Sequence, residues 1–246
     1  MPKKTSKETT LDQVSALAQN YLITLYMLED DQDTPPTASR LAEQLAKSPI
    51  TEHLGTSIAS VGAMVHRMQR DGLLEITKGK HIAFSEAGRK LAEQIMRRHQ
   101  LAERMLVDML GMELHKVHAE AHRWEHAISP DVEAKLVERL GNPLTCPFGH
   151  PIPGSGYRPP EGSLRLNKVP PHTAVTVERI PEYDPRLVQY LVSSGIVRGQ
   201  RLTVREVAAY KGTLTLDVGG KEVIVGVQVA PSIVVHSPSP ALPSKN

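Results

Sequence analysis

The residues best equipped for chemistry are His118, His122, Glu125 and His126, spaced i, i+4, i+7 and i+8 within His118-Ala-Glu-Ala-His122-Arg-Trp-Glu125-His126. At about 3.6 residues per turn these side chains share one helix face. Imidazole nitrogens and carboxylate oxygens ligate first-row divalent metals, so such a face can chelate a cation without a loop. His99 and Glu103 repeat the i, i+4 spacing one helix earlier. Two packed helices of this kind hold ligands for one or two ions. The alternative is an exposed polar face, because unliganded burial would cost about 1–3 kcal/mol per unsatisfied group.

The elements that must position these groups span 246 residues, enough for two or three small domains. The single cysteine, Cys146, excludes an intramolecular disulfide framework and fits a reducing cytoplasm. No apolar run approaches the ~20 residues of a membrane span, and no signal core follows Met1, so a soluble cytoplasmic protein is expected. The formal net charge is +2, with the excess of base in residues 146–246. Global charge therefore argues little for nucleic acid, and a DNA-binding claim must rest on a local motif.

Such a motif occupies the first third. Val14, Leu17, Tyr21, Leu25 and Leu28 predict a helix from Leu11 to Glu29. Thr37 is placed to cap a second helix with Leu41, Ala42 and Leu45 inward. A third begins near Ser57 and ends at Gly72, with Val61, Met64, Val65 and Met68 inward and Ser60, Ala63, Arg67 and Arg70 on its other face. Residues 73–77 and 81–84 read as strands joined across Lys78-Gly-Lys80. Three helices followed by a basic hairpin is the order of a winged helix-turn-helix, whose last helix enters the major groove and whose wing meets phosphates.

Beyond it, Ser85 caps a long helix to about Leu110. The ligand-rich helix follows at roughly 113–128, and a third helix spans 131–140. The Pro/Gly-rich residues 147–163 read as a linker. From residue 164 short alternating strands around a helix near 184–193 predict a small β-barrel, and the tail from Ser237 reads as disordered. The expected fold is mainly α with β. Its domains are a winged helix-turn-helix (1–84), a helical domain (85–146), the linker (147–163), a small barrel (164–236) and the tail (237–246).

Five segments carry a resemblance over nearly the whole chain: Asn20-Tyr-Leu-Ile-Thr-Leu-Tyr26, Met68-Gln-Arg-Asp-Gly-Leu-Leu74, Arg97-Arg-His-Gln-Leu-Ala-Glu-Arg104, Val117 to His126, and Pro147-Phe-Gly-His-Pro-Ile-Pro-Gly154. The sequence resembles the diphtheria-toxin-repressor and manganese-transport-regulator family of bacterial metal sensors. That resemblance implies a homodimer on double-stranded operator DNA, with the helical domain binding metal and the C-terminal barrel SH3-like. It implies a primary metal site of Asn20, His122, Glu125 and His126. It also implies an ancillary site of His99, Glu103 and His118, completed by Glu182, Asp184 and Gln189. Thr37, Ser57, Ser60, Arg67, Arg70, Lys78 and Lys80 form the implied DNA-binding set.

Two departures stand out. Iron-responsive relatives carry Cys at the place of His122 and Met or Asp at that of Asn20; a sulfur-free site with an amide oxygen is harder, which favours Mn²⁺ over Fe²⁺. The chain also carries extra residues, Ala46 to His53, ahead of the recognition helix. The expected function is a metal-gated repressor of metal-transport genes, in which metal locks the dimer in its DNA-competent form. An iron-dependent regulator is the alternative. A remoter one is a zinc metallopeptidase, since His122-Arg-Trp-Glu125-His126 reads H-x-x-E-H. A winged-helix protein with structural histidines is the plainest rival.

Overall fold

A computed structural model describes residues 10–31, 35–47 and 55–237, so most of the extra Ala46–His53 stretch and the tail beyond Ser237 lie outside the described residues. The chain forms two compact units. One takes residues up to Ala102 with Ala119–Arg139; the other takes Glu103–His118 with residues from Leu140 onward.

In the first unit the expected opening helix is split. Leu11–Gln13 is a 3-10 turn and Val14 is extended, before α1 (Ala16–Asp31). Ser15 causes the break, because its hydroxyl accepts from the Ala18 amide at 3.3 Å and so acts as a fresh cap. α1 buries Ala18, Tyr21, Leu22, Ile23, Leu25, Met27 and Leu28, more than one face. Val14 and Leu17 lie only half-buried.

α2 (Ala38–Lys47) buries Leu41, Ala42 and Leu45, and α3 (Ile58–Arg70) buries Val61, Val65 and Met68, as their apolar spacing requires. Gly72, at φ +75, turns the chain into a hairpin of β1 (Leu74–Ile76) and β2 (Ile82–Phe84), with Leu74 opposite Phe84. Thr37 bridges to His81 and the Ile82 amide donates to the Pro36 carbonyl, so the segment before α2 extends this small sheet. Ser85 then bonds the Gly72 carbonyl at 2.6 Å and caps α4 (Glu86–Arg104) through the Gly88 amide.

α4 passes into a π-helical turn, Met105–Met109, where the Leu110 amide bonds the Met105 carbonyl. α5 covers Leu114–Trp124, shorter than the expected 113–128. Residues 125–127 form a turn, and Ser129 then caps α6 (Pro130–Arg139), with proline at its first helical position. Glu125 keeps the last helical bond, to the Ala121 carbonyl, whereas His126 lies in the turn that follows. In the first unit Glu133 of α6 pairs with Arg97 at 2.8 Å and Arg98 at 3.4 Å.

In the second unit an antiparallel sheet runs in the order β3-β8-β4-β5-β6-β7. Its strands are β3 (Leu164–Arg165), β4 (Thr173–Arg179), β5 (Arg201–Ala208), β6 (Thr213–Val218), β7 (Lys221–Gly226) and β8 (Val234–His236), with α7 (Pro185–Ser193) between β4 and β5. Alternation on β6 buries Leu214, Leu216 and Val218, and Gly219-Gly220, both at positive φ, close its hairpin to β7.

The linker reading is corrected at its start. Cys146, Phe148 and Ile152 are fully buried and His150 nearly so. The Cys146 amide bonds the His150 carbonyl, and the Phe148 carbonyl accepts from Ile180. Gly149 permits this packing: its φ is +98 and a Cβ would lie 2.1 Å from the Glu178 carbonyl oxygen. Composition marks such a stretch as irregular, but it cannot show that the irregular backbone is buried.

Candidate metal centres and DNA-facing surface

The first unit gathers Gln19 and Asn20 of α1, His99 of α4, His122 of α5, and Glu125 and His126 beyond it. Glu125 is the hub and is fully buried. One carboxylate oxygen lies 2.6 Å from His99 Nδ1, and both lie 3.1–3.2 Å from His122 Nδ1. Burial by itself raises this carboxyl, but the charge and hydrogen bond of His122, joined by those of His99, prevail and hold it at about 2. A permanent buried anion among imidazoles results. The His99 and His122 rings lie 4.4 Å apart, centroid to centroid.

His126 supplies the link to α1. Its Nδ1 lies 2.8 Å from Gln19 Oε1, and its Nε2 lies 2.9 Å from Asn20 Oδ1 and 3.4 Å from Glu125 Oε1. Gln19 is oriented independently, because its Nε2 donates to the Leu11 and Val14 carbonyls at 3.0 and 2.8 Å. Burial pushes the imidazole below its ordinary value, against the pull of Glu125. A neutral ring carries one N–H, which either Gln19 Oε1 or Asn20 Oδ1 can accept. With the proton on Nδ1, Nε2 is a lone pair facing an amide oxygen and a carboxylate oxygen. In that tautomer three acceptors converge, an arrangement that a cation relieves.

In the second unit Glu103, His118 and Glu182 offer ligand atoms all within 4.8 Å of one another. His118 Nδ1 lies 3.2 Å from Glu103 and 4.0 Å from Glu182, and its ring meets Tyr183 edge-on. Both carboxylates are buried. Beside them burial, then the charges of Glu103 and Glu182, push the Cys146 thiol well above its ordinary value, so it stays S–H.

Two other expected ancillary residues of this unit, Asp184 and Gln189, are exposed. Asp184 caps α7, accepting from the amides of Arg186 and Leu187, and Gln189 lies on α7. His99, assigned by resemblance to the ancillary set, has its Nδ1 on Glu125. Gln19, Cys146 and His150 escaped the sequence reading. Gln19 and Asn20 are adjacent amides and only packing distinguishes them; His150 falls within the expected linker and Cys146 at the residue just before it.

The residues that the resemblance implies for DNA binding lie on the first unit. Thr37 caps α2 through the Arg40 amide, and Ser57 caps α3 through the Ser60 amide. Ser57 and Ser60 hydroxyls lie 2.9 Å apart, exposed at the start of α3. Arg67 and Arg70 are exposed on its last turns, and Lys78 and Lys80 at the hairpin tip. Ile58, 60% exposed on the first turn of α3, is an apolar member of this surface that periodicity did not single out.

Family comparisons agree with this layout. Residues 13–82 match the iron-dependent repressor N-terminal DNA-binding domain, 85–154 the iron-dependent repressor metal-binding and dimerisation domain, and 164–237 the FeoA domain. The iron-dependent repressor IdeR of Mycobacterium tuberculosis is 41% identical over 215 residues, covering 82% of this chain and 88% of that protein. The diphtheria toxin repressor of Corynebacterium diphtheriae is 44% identical over 134 residues, 54% of this chain and 55% of the relative. Among solved structures, a manganese-dependent transcriptional repressor in complex with manganese superposes with a TM-score of 0.79 at 29% identity. It covers 89% of this chain and 99% of the other. These relatives are transcriptional repressors and not enzymes, which removes the metallopeptidase reading of H-x-x-E-H. Among the described residues no helix is long and apolar enough to cross a membrane. The sulfur-free cluster around Glu125, the capped helix with its basic hairpin and the three matching domains lead to one conclusion: the chain belongs to the iron-dependent repressor family of metal-dependent transcriptional repressors, the family of the diphtheria toxin repressor.

Proposed function

We propose that this chain is a manganese-responsive repressor, acting in the cytoplasm as a homodimer on double-stranded operator DNA upstream of metal-transport genes. The observation that carries the metal preference is the donor set Asn20, His122, Glu125 and His126, which holds two imidazoles, one carboxylate and one amide oxygen but no sulfur. The carboxylate and amide oxygens of this set suit Mn²⁺, whereas thiolate and thioether donors draw softer ions. The solved manganese-dependent repressor supports the same reading.

The bound cation supplies positive charge at a place where lone pairs of α1 and of the α5 end converge. Asn20 and His126 then draw α1 toward the end of α5. Gln19 carries that constraint to the Leu11–Val14 segment through two carbonyls. α1 leads through α2 to α3, so a fixed α1 narrows the orientations of the recognition helix. DNA and metal must strengthen each other's binding by one factor, which in such coupled systems is about 5–150-fold. Ser57, Ser60 and Ile58 meet base edges, Thr37, Arg67 and Arg70 meet phosphates, and Lys78 and Lys80 hold the wing to the backbone. Glu103, His118 and Glu182 form a second, ancillary metal site.

An iron-responsive regulator is the second reading, favoured by the iron-dependent repressors at 41% identity. Fluorescence anisotropy on the gene's upstream DNA distinguishes them, with chelator and then with buffered free Mn²⁺, Fe²⁺ or Zn²⁺ at fixed salt. Full activation by Mn²⁺ at free concentrations no higher than Fe²⁺ requires is expected. Activation by Fe²⁺ with none by Mn²⁺ would establish the second reading, and metal-independent binding would reduce the cluster to a structural role.

A further inference from the structure

Glu182 reaches its cluster from the loop between β4 and α7, where no backbone ladder orients a carboxylate. Its two oxygens meet different groups. Oε1 faces His118 Nδ1 at 4.0 Å. Oε2 faces His150 Nε2 at 3.6 Å and accepts from the Cys146 thiol at 3.8 Å. The single Nε2–H of His150 is shared with the Ile180 carbonyl, 3.3 Å away and two residues before Glu182, which holds the ring in place. Cys146 and His150 are locked together by the bond from the Cys146 amide to the His150 carbonyl, in the turn whose packing requires Gly149. Cys146 is 0% exposed, His150 6% and Glu182 2%, so water does not compete for these contacts.

We propose that Cys146 and His150 are positioning residues for the second metal site: they engage Oε2 of Glu182 and leave Oε1 as its ligating oxygen beside His118 and Glu103. This rests on the reading of Glu103, His118 and Glu182 as metal ligands. Cys146 and His150 are not themselves the ligands. Their donors converge on one carboxylate oxygen of Glu182 rather than on a point shared with His118 and Glu103. Outer donors of this kind fix the orientation and basicity of ligating groups, and their loss typically weakens metal binding by about 10–100-fold.

The test titrates metal-free full-length protein with Mn²⁺, following free Mn²⁺ by electron paramagnetic resonance, and with Co²⁺ by absorbance. Wild type should take up two ions. C146A and H150A should weaken the second by about 10–100-fold and leave the first unchanged. C146S and H150Q keep a donor at similar reach, and both should restore much of the lost affinity; they also serve if an alanine variant fails to fold. A sulfur-to-cobalt charge-transfer band abolished in C146S would make Cys146 a ligand and overturn the proposal. Loss of the second ion in E182Q, with C146A and H150A binding normally, would also overturn it while leaving the ligand reading intact. Retention of both ions by E182A, which has no side-chain oxygen, would defeat the ligand reading, and the proposal with it.

Discussion

Glu125→Gln isolates the charge at the centre of the first cluster while preserving its shape. The carboxyl is fully buried and held at about 2, against an ordinary 4.5, by His122 and His99. At about 1.36 kcal/mol per pH unit, that difference corresponds to about 3 kcal/mol of folded-state stability. The sign follows from the direction: a carboxyl depressed in the folded state stabilises fully above its unfolded value and loses that contribution as pH falls through the folded one. Linkage therefore leaves about 3 kcal/mol above pH 5 and about 2 kcal/mol at pH 3.5. Urea unfolding of metal-free wild type and E125Q at pH 7, 5 and 3.5 measures the difference directly. E125Q should be less stable by about 3 kcal/mol at neutral pH, with the gap narrowing on acidification. Parallel profiles, or a more stable E125Q, would refute the picture of an ionised carboxylate held by imidazoles. The same variant should lose metal-activated DNA binding.

Other outcomes follow from single contacts. Gly88→Ala places a Cβ 1.8 Å from the Leu73 carbonyl oxygen, a backbone clash that should cost at least about 3 kcal/mol and lower the thermal midpoint; an unchanged midpoint would show that α4 and the hairpin shift freely. Replacing Lys78 and Lys80 by Ala should weaken DNA binding uniformly across sequences and reduce the slope of log affinity against log salt by roughly 1 per lysine. Unchanged slopes would remove the hairpin from the interface. Cys146, buried and held protonated, should resist Ellman's reagent in native protein and react at once in urea. Rapid native labelling would refute that burial.

Local pattern made much of this protein legible. α2 and α3 carry amphipathic repeats and a serine cap. The β6–β7 hairpin has strict alternation and a Gly-Gly turn. Each of these depends on neighbours within a few residues. α1 is less legible, because a helix buried on several sides lacks a clean stripe and the Ser15 cap lies inside a continuous apolar repeat. Proline and glycine in residues 147–152 marked irregular backbone correctly, yet burial of that backbone depends on Ile180 and Glu178, some thirty residues away.

The sites divide along the same line. His122 and Glu125 were readable as one group because helical periodicity puts residues three apart on a common face, and α5 obeys it. His118 is one turn from His122 on that helix, but its side chain pairs with Glu103 and Glu182, 15 and 64 positions distant. His126 lies in the turn after α5 and finds Gln19 and Asn20 more than a hundred residues back. Residue type and spacing were sufficient to identify which groups can ligate. Which of them meet is decided by packing, since a side chain's distant partners depend on how whole elements dock and no local periodicity encodes that.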